Sequence, residues 1–205
     1  MSVNPFEEQA SEYLRYNGFF LIRGFVIHFE DANAQEIDFV GVRLPESVEQ
    51  TVYSDGQFSA FVFKDDGEKL DLSDTPEIIL VVAEVTESKK GIKVEERIEK
   101  LRDPIRIGYA LRRLGVIEKE DIGMLLHGKS IDYSNGVRAR LLQLLFVLNK
   151  RMAMKYREKN SDITFITQND VLSFIGERAK INIKERARAH LPRWLHNCVD
   201  KLLHR

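Results

Sequence analysis

The run Ile78-Ile79-Leu80-Val81-Val82-Ala83 constrains the fold of this chain more than any other stretch. An unbroken aliphatic and β-branched run reads as a strand buried on both faces, and such strands lie inside sheets covered by helices. Glu84 follows at once, ahead of Val85-Thr86-Glu87-Ser88-Lys89-Lys90. A carboxylate closing a doubly buried strand must accept a structural hydrogen bond or bind something, because burying it ionised and alone is costly.

The flanking segments supply helices and further strands. Asn4-Pro5-Phe6-Glu7 reads as a helix start: Asn caps, Pro suits the first helical position, and Glu7 completes a capping box. Phe6, Ala10, Tyr13 and Leu14 follow helical spacing to a stop at Gly18, while Glu8 and Glu12 share one flank, free for a ligand or for water. Residues 19–23 and 25–29 are strand-like around Gly24, a bend or bulge. Residues 35–43 alternate, with Glu36, Asp38, Val40 and Val42 on one face and Ile37, Phe39, Gly41 and Arg43 on the other. Residues 46–77 form an acidic, turn-rich excursion in which 58–63 is a short helix or strand.

Beyond the central strand, residues 94–102 have helical spacing. Asp103-Pro104 starts a helix that ends at Gly115, and residues 118–126 make another, closed by Gly128. Residues 137–156 fit one long helix, yet 141–147 also fits a buried strand. A short strand at 163–167 leads into Thr167-Gln168-Asn169-Asp170, a capping signature for a helix over 171–180. The order describes an α/β domain, a mixed central sheet flanked by helices, over residues 1–182, with a basic helical C-terminal extension over 183–205.

Charge is polarised along the chain. Residues 1–87 carry 5 Lys/Arg against 18 Asp/Glu, whereas residues 137–205 carry 15 against 6. The asymmetry suits self-complementary packing, or acids gathered at a metal site beside a basic surface for a polyanion. Phosphate contacts are open to Arg138, Arg140, Lys150, Arg151, Lys155, Arg157 and Lys159, and to the later cations from Arg178 to Arg193; the alternative is a merely solvated basic face. Cys198 is the one cysteine, so no disulfide framework forms. The opening Met1 to Glu8 lacks the basic and apolar regions of a signal peptide, and no apolar run spans a bilayer. The expectation is a soluble cytoplasmic protein.

If the strands carrying Asp38 and Glu84 are neighbours, the two acids lie side by side, and hard oxygen ligands of this kind suit magnesium or manganese. Here the chain resembles the PD-(D/E)xK nuclease superfamily, of restriction-endonuclease-like fold. The resemblance rests on the helix ending Asn17-Gly18-Phe19-Phe20, on Glu36-Ile37-Asp38-Phe39-Val40 and on Val81-Val82-Ala83-Glu84-Val85-Thr86. Leu114-Gly115, the strand alternative near 138–147 and Val171-Leu172-Ser173-Phe174-Ile175-Gly176-Glu177-Arg178 continue it.

The resemblance implies a divalent-metal-dependent nuclease acting on DNA phosphodiesters, and a homodimer. Asp38 and Glu84 would hold Mg2+ or Mn2+, with Glu8 assisting. Two positions depart from the family pattern: Ile37 stands where the family has proline, and Thr86 where it has the lysine that positions the attacking water. Lys89 or Lys90 would substitute for that lysine. The alternative is a degenerate site, in a protein that binds nucleic acid or a protein partner without cleaving.

Overall fold

The computed structural model describes residues 4–28, 34–45, 47, 66–72, 76–87 and 91–184, with backbone alone for 178–184. The possible element at 58–63, Lys89, Lys90 and the extension beyond 184 lie outside the described residues.

Helix α1 (Pro5–Tyr16) begins where Asn4 Oδ1 accepts from the Phe6 and Glu7 backbone N–H groups, and the chain leaves it through Gly18 at φ 81°. Strands β1 (Phe20–His28), β2 (Ala34–Arg43) and β3 (Glu77–Thr86) form an antiparallel meander. The short helix α2 (Gly67–Leu70), which the sequence pattern does not announce, precedes β3. Helices α3 (Gly91–Arg102), α4 (Pro104–Leu114) and α5 (Ile122–Leu126) then cross one face of the sheet. Asp103 caps α4 through the Ile105 and Arg106 N–H groups, and Gly115 closes it at φ 63°.

A two-residue strand β4 (Ile131–Asp132) pairs antiparallel with β5 (Arg138–Val147), and β5 runs parallel to β3. Residues 138–147 are therefore strand. The helical periodicity seen beyond them belongs to α6 (Lys150–Arg157), which Asn149 starts by accepting from Met152 N–H. Strand β6 (Thr164–Thr167) adds parallel to β5. Helix α7 (Gln168–Lys184) opens on a reciprocal capping box: Thr167 N–H donates to Asp170 Oδ2, and Asp170 N–H donates to Thr167 Oγ1.

The result is an α/β architecture with a mixed, curled open sheet in the order β1-β2-β3-β5-β4, β6 lying against β5. Core residues Phe6, Ala10, Tyr13 and Leu14 of α1, with Val171 and Ile175 of α7, cover one sheet face. Val94, Ile98 and Leu101 of α3, Ile107 and Leu111 of α4, and Ala153 of α6 cover the other. β3 is sandwiched between these layers, as its apolar run requires. Among the described residues no helix is long and apolar enough to cross a membrane.

Strict alternation along β2 fails at Asp38. Ile37 and Val40 enter the same core layer, whereas Phe39 enters the opposite one. The β2–β3 ladder runs only from Phe39↔Ala83 to Arg43↔Ile79, and beyond it β2 curls with β1, where Gly24 at φ 58° stands opposite Asp38. Gly41 marks a tight crossing on the paired part. A Cβ there would lie 2.5 Å from the Phe20 carbonyl oxygen and 2.7 Å from Leu21 Cδ2.

Gly41→Ala is expected to cost about 1–3 kcal/mol through overpacking. Gly123→Ala in α5, where an added Cβ meets nothing within 4 Å, is expected to gain up to about 1 kcal/mol from helix propensity. Urea unfolding measures both, and a Gly41→Ala midpoint equal to that of the parent would contradict the crossing.

Candidate functional site

Extending the β2–β3 register by one residue beyond Phe39↔Ala83 sets Asp38 opposite Glu84. Two like charges facing each other across strands are destabilising, and here both are buried. The structure relieves this in two ways. The first is local: Asp38 Oδ2 accepts the Val85 N–H at 2.7 Å, just past the end of the ladder.

The second relief comes from two arginines on the helices that follow β3. Arg106, on the apolar face of α4, has a wholly buried side chain, and its Nη2 donates to Glu84 Oε1 and to the backbone carbonyl of Glu36. Arg97 of α3 donates from Nη1 to Glu84 Oε2, and the same nitrogen lies 3.5 Å from Asp38 Oδ2. One guanidinium nitrogen thus bridges the two carboxylates. The Glu84 side chain has 0% exposure and that of Arg97 has 29%, so Arg97 connects the buried pair to the surface.

The electrostatics of the cluster follow from this arrangement. Burial, then the charge of Asp38, raises the Glu84 carboxyl above its ordinary range, against the pull of Arg106 and Arg97. Burial works to lower Arg97, but Asp38 and Glu84 outweigh it and its pKa rises, so it stays cationic. Arg106 Nε and Nη1 are buried without a hydrogen-bond partner among the described residues, at a cost of about 1–3 kcal/mol. Burial and Asp38 also raise Glu7, which lies 3.8 Å from Arg23.

Of the residues singled out in the sequence, Asp38 and Glu84 come together. On α1 the charge of Asp38 helps to raise Glu7, which shares the helix face of Ala10 and Leu14. The Glu8 side chain makes no hydrogen bond or ion pair among the described residues. Thr86 is buried at the last position of β3. Of the basic surface, Arg138 pairs with Asp132, Arg140 with Glu77, and Arg157 donates to the Phe165 carbonyl. The arginines of the site are new. Arg106 is legible after the fact as an arginine four residues before Ala110 on the apolar face of α4.

Magnesium and manganese require open carboxylate oxygens and keep several waters. Both Glu84 oxygens face guanidinium groups, and Asp38 Oδ2 is shared by Val85 N–H and Arg97. This donor set does not fit a divalent ion while Arg97 holds its place, and no group of three potential ligands gathers among the described residues.

Beside the pair a cleft of about 420 Å3 opens between the end of β3, α3 and Asn4. Lys93, Arg97 and Lys100 line it, together with Glu87 and Glu96. Neither Asp38 nor Glu84 lines this cleft itself, nor a larger hollow of about 690 Å3 between α1 and β1; Val85 and Arg97 connect the cleft to the pair. Compared with known proteins, the chain matches no family model, no curated protein and no solved structure.

Arg106→Met leaves Glu84 Oε1 without its guanidinium partner and is expected to cost about 3–5 kcal/mol, with part regained in Arg106→Met/Glu84→Gln, as urea unfolding would report. The pH dependence has a definite sign. Glu7 and Glu84 are both raised, so between the ordinary Glu pKa and their raised values these two groups bind more protons in the folded than in the unfolded chain. Their contribution to stability therefore falls as pH rises through that window. Asp38→Asn, which removes a cause of both shifts, is expected to flatten the slope of urea stability against pH there.

Proposed function

We propose that this chain is a restriction-endonuclease-like protein of the PD-(D/E)xK type that binds DNA without cleaving it. Its acid pair holds an arginine where active members of that superfamily hold a metal ion. The observation that carries this reading is the single Arg97 nitrogen touching one oxygen of Asp38 and one of Glu84. Thr86, at the position of the family lysine, supports it, since a threonine brings no positive charge to a phosphate.

The order of α1, β1-β2-β3, the following helices and parallel β5 suits the proposed fold. Affinity in this reading comes from lysine and arginine contacts to phosphate, which confer salt-dependent binding and little sequence preference. Among the described residues, Lys93 and Lys100 near the acids, and Lys150, Arg151 and Lys159 near α6, make no ion pair and are available for such contacts.

Incubation of the protein with supercoiled plasmid and Mg2+ or Mn2+ tests this. The expected result is retarded, intact plasmid, with retardation lost as salt rises. Nicking that disappears in both Asp38→Asn and Glu84→Gln would overturn the reading in favour of a metal-dependent nuclease. Absence of retardation at low salt would overturn DNA binding itself.

A further inference from the structure

Arg97 faces two ways. Its Nη1 is engaged by the buried acids, and among the described residues no other nitrogen of its guanidinium makes a hydrogen bond. Arg97 also lines the cleft that Lys93 and Lys100 line, and its side chain is 29% exposed. These three cations are spaced i, i+4, i+7 along α3, so they share one helix face. At a rise of 1.5 Å per residue the stripe extends about 10 Å.

An arginine free in solvent loses rotamer freedom when it binds an anion, whereas one already clamped has lost it before the ligand arrives. Planar guanidinium also presents paired donors that match phosphate oxygens. We propose that Arg97, clamped by Asp38 and Glu84, is the phosphate-binding residue of this cleft. Lys93 and Lys100 take the flanking phosphates of the same DNA strand. The acid pair is then a positioning device: its ligand is the protein's own arginine, and that arginine's ligand is the phosphodiester. Glu87 and Glu96 on the cleft wall oppose the anion and limit its affinity.

The inference rests on the DNA-binding reading above, and the experiment separates the two. Fluorescence anisotropy of a labelled DNA duplex is followed against salt for the full chain and its variants. Lys93→Gln and Lys100→Gln are each expected to reduce the salt slope by about 1, and together to weaken binding about tenfold at low salt. Glu96→Gln is expected to tighten it. Arg97→Lys keeps the charge but loses the fork, and is expected to weaken binding while leaving the slope unchanged.

Asp38→Asn decides the positioning role. Removing a negative charge should tighten DNA binding if only the summed field matters, but should weaken it if Asp38 serves to hold Arg97. Its urea midpoint is measured alongside, so that loss of fold is not mistaken for loss of binding. Tighter binding by Asp38→Asn, or unchanged binding by the Lys93→Gln/Lys100→Gln variant, overturns the inference while leaving DNA binding to another face. Failure of the parent protein to bind the duplex overturns both.

Discussion

Glu84 lies wholly inside the protein with a guanidinium on each of its oxygens, and much of the fold answers to that one carboxylate. Burying an ionised carboxylate is tolerable only if partners replace the lost water, and removing either partner leaves a charge stranded. Arg106 therefore ties α4 to both β3 and β2, through Glu84 and the Glu36 carbonyl, while Arg97 ties α3 to the same point. The β2–β3 ladder stops where the two acids would meet, and Asp38 turns to accept the first N–H beyond its end. Curl of the sheet, placement of two helices and neutralisation of two acids are thus parts of one solution.

That solution changes what two acids at strand ends signify. Carboxylates at such a place invite a metal ion because hard cations seek clustered oxygens. A guanidinium seeks the same oxygens and comes attached to the chain. Once Arg97 sits between Asp38 and Glu84, the positive charge that a phosphate would meet in the cleft belongs to a side chain on α3. In the proposed function, Arg97 meets a phosphate at the place where a metal ion would otherwise activate water.

Local chemistry made much of the architecture legible. Asn4, Asp103 and Thr167 start helices because their side chains satisfy N–H groups that the first turn leaves open, and those contacts involve near neighbours only. The buried strand at 78–83 and the convergence of Asp38 with Glu84 follow from apolar runs and from antiparallel pairing of adjacent strands. What lay beyond reach depended on distant partners. Arg97 and Arg106 come from 13 and 22 residues past Glu84, and no local pattern says which carboxylate an arginine will meet. The place of Glu7 on the sheet-facing side of α1 was open to a helical-wheel argument, since Glu7 lies three and seven residues before Ala10 and Leu14. The failure of alternation at Asp38 was not, because the sheet's curl is a tertiary property.

A guanidinium occupies the place between Asp38 and Glu84 that a divalent ion would need. Titration calorimetry of the full chain with Mn2+, in parallel with Asp38→Asn and Arg97→Met, addresses it directly. The expected result is no Asp38-dependent binding at millimolar Mn2+ in the parent protein, because any ion must first displace Arg97. A single Mn2+ site in the parent that vanishes in Asp38→Asn and is no tighter in Arg97→Met would contradict it.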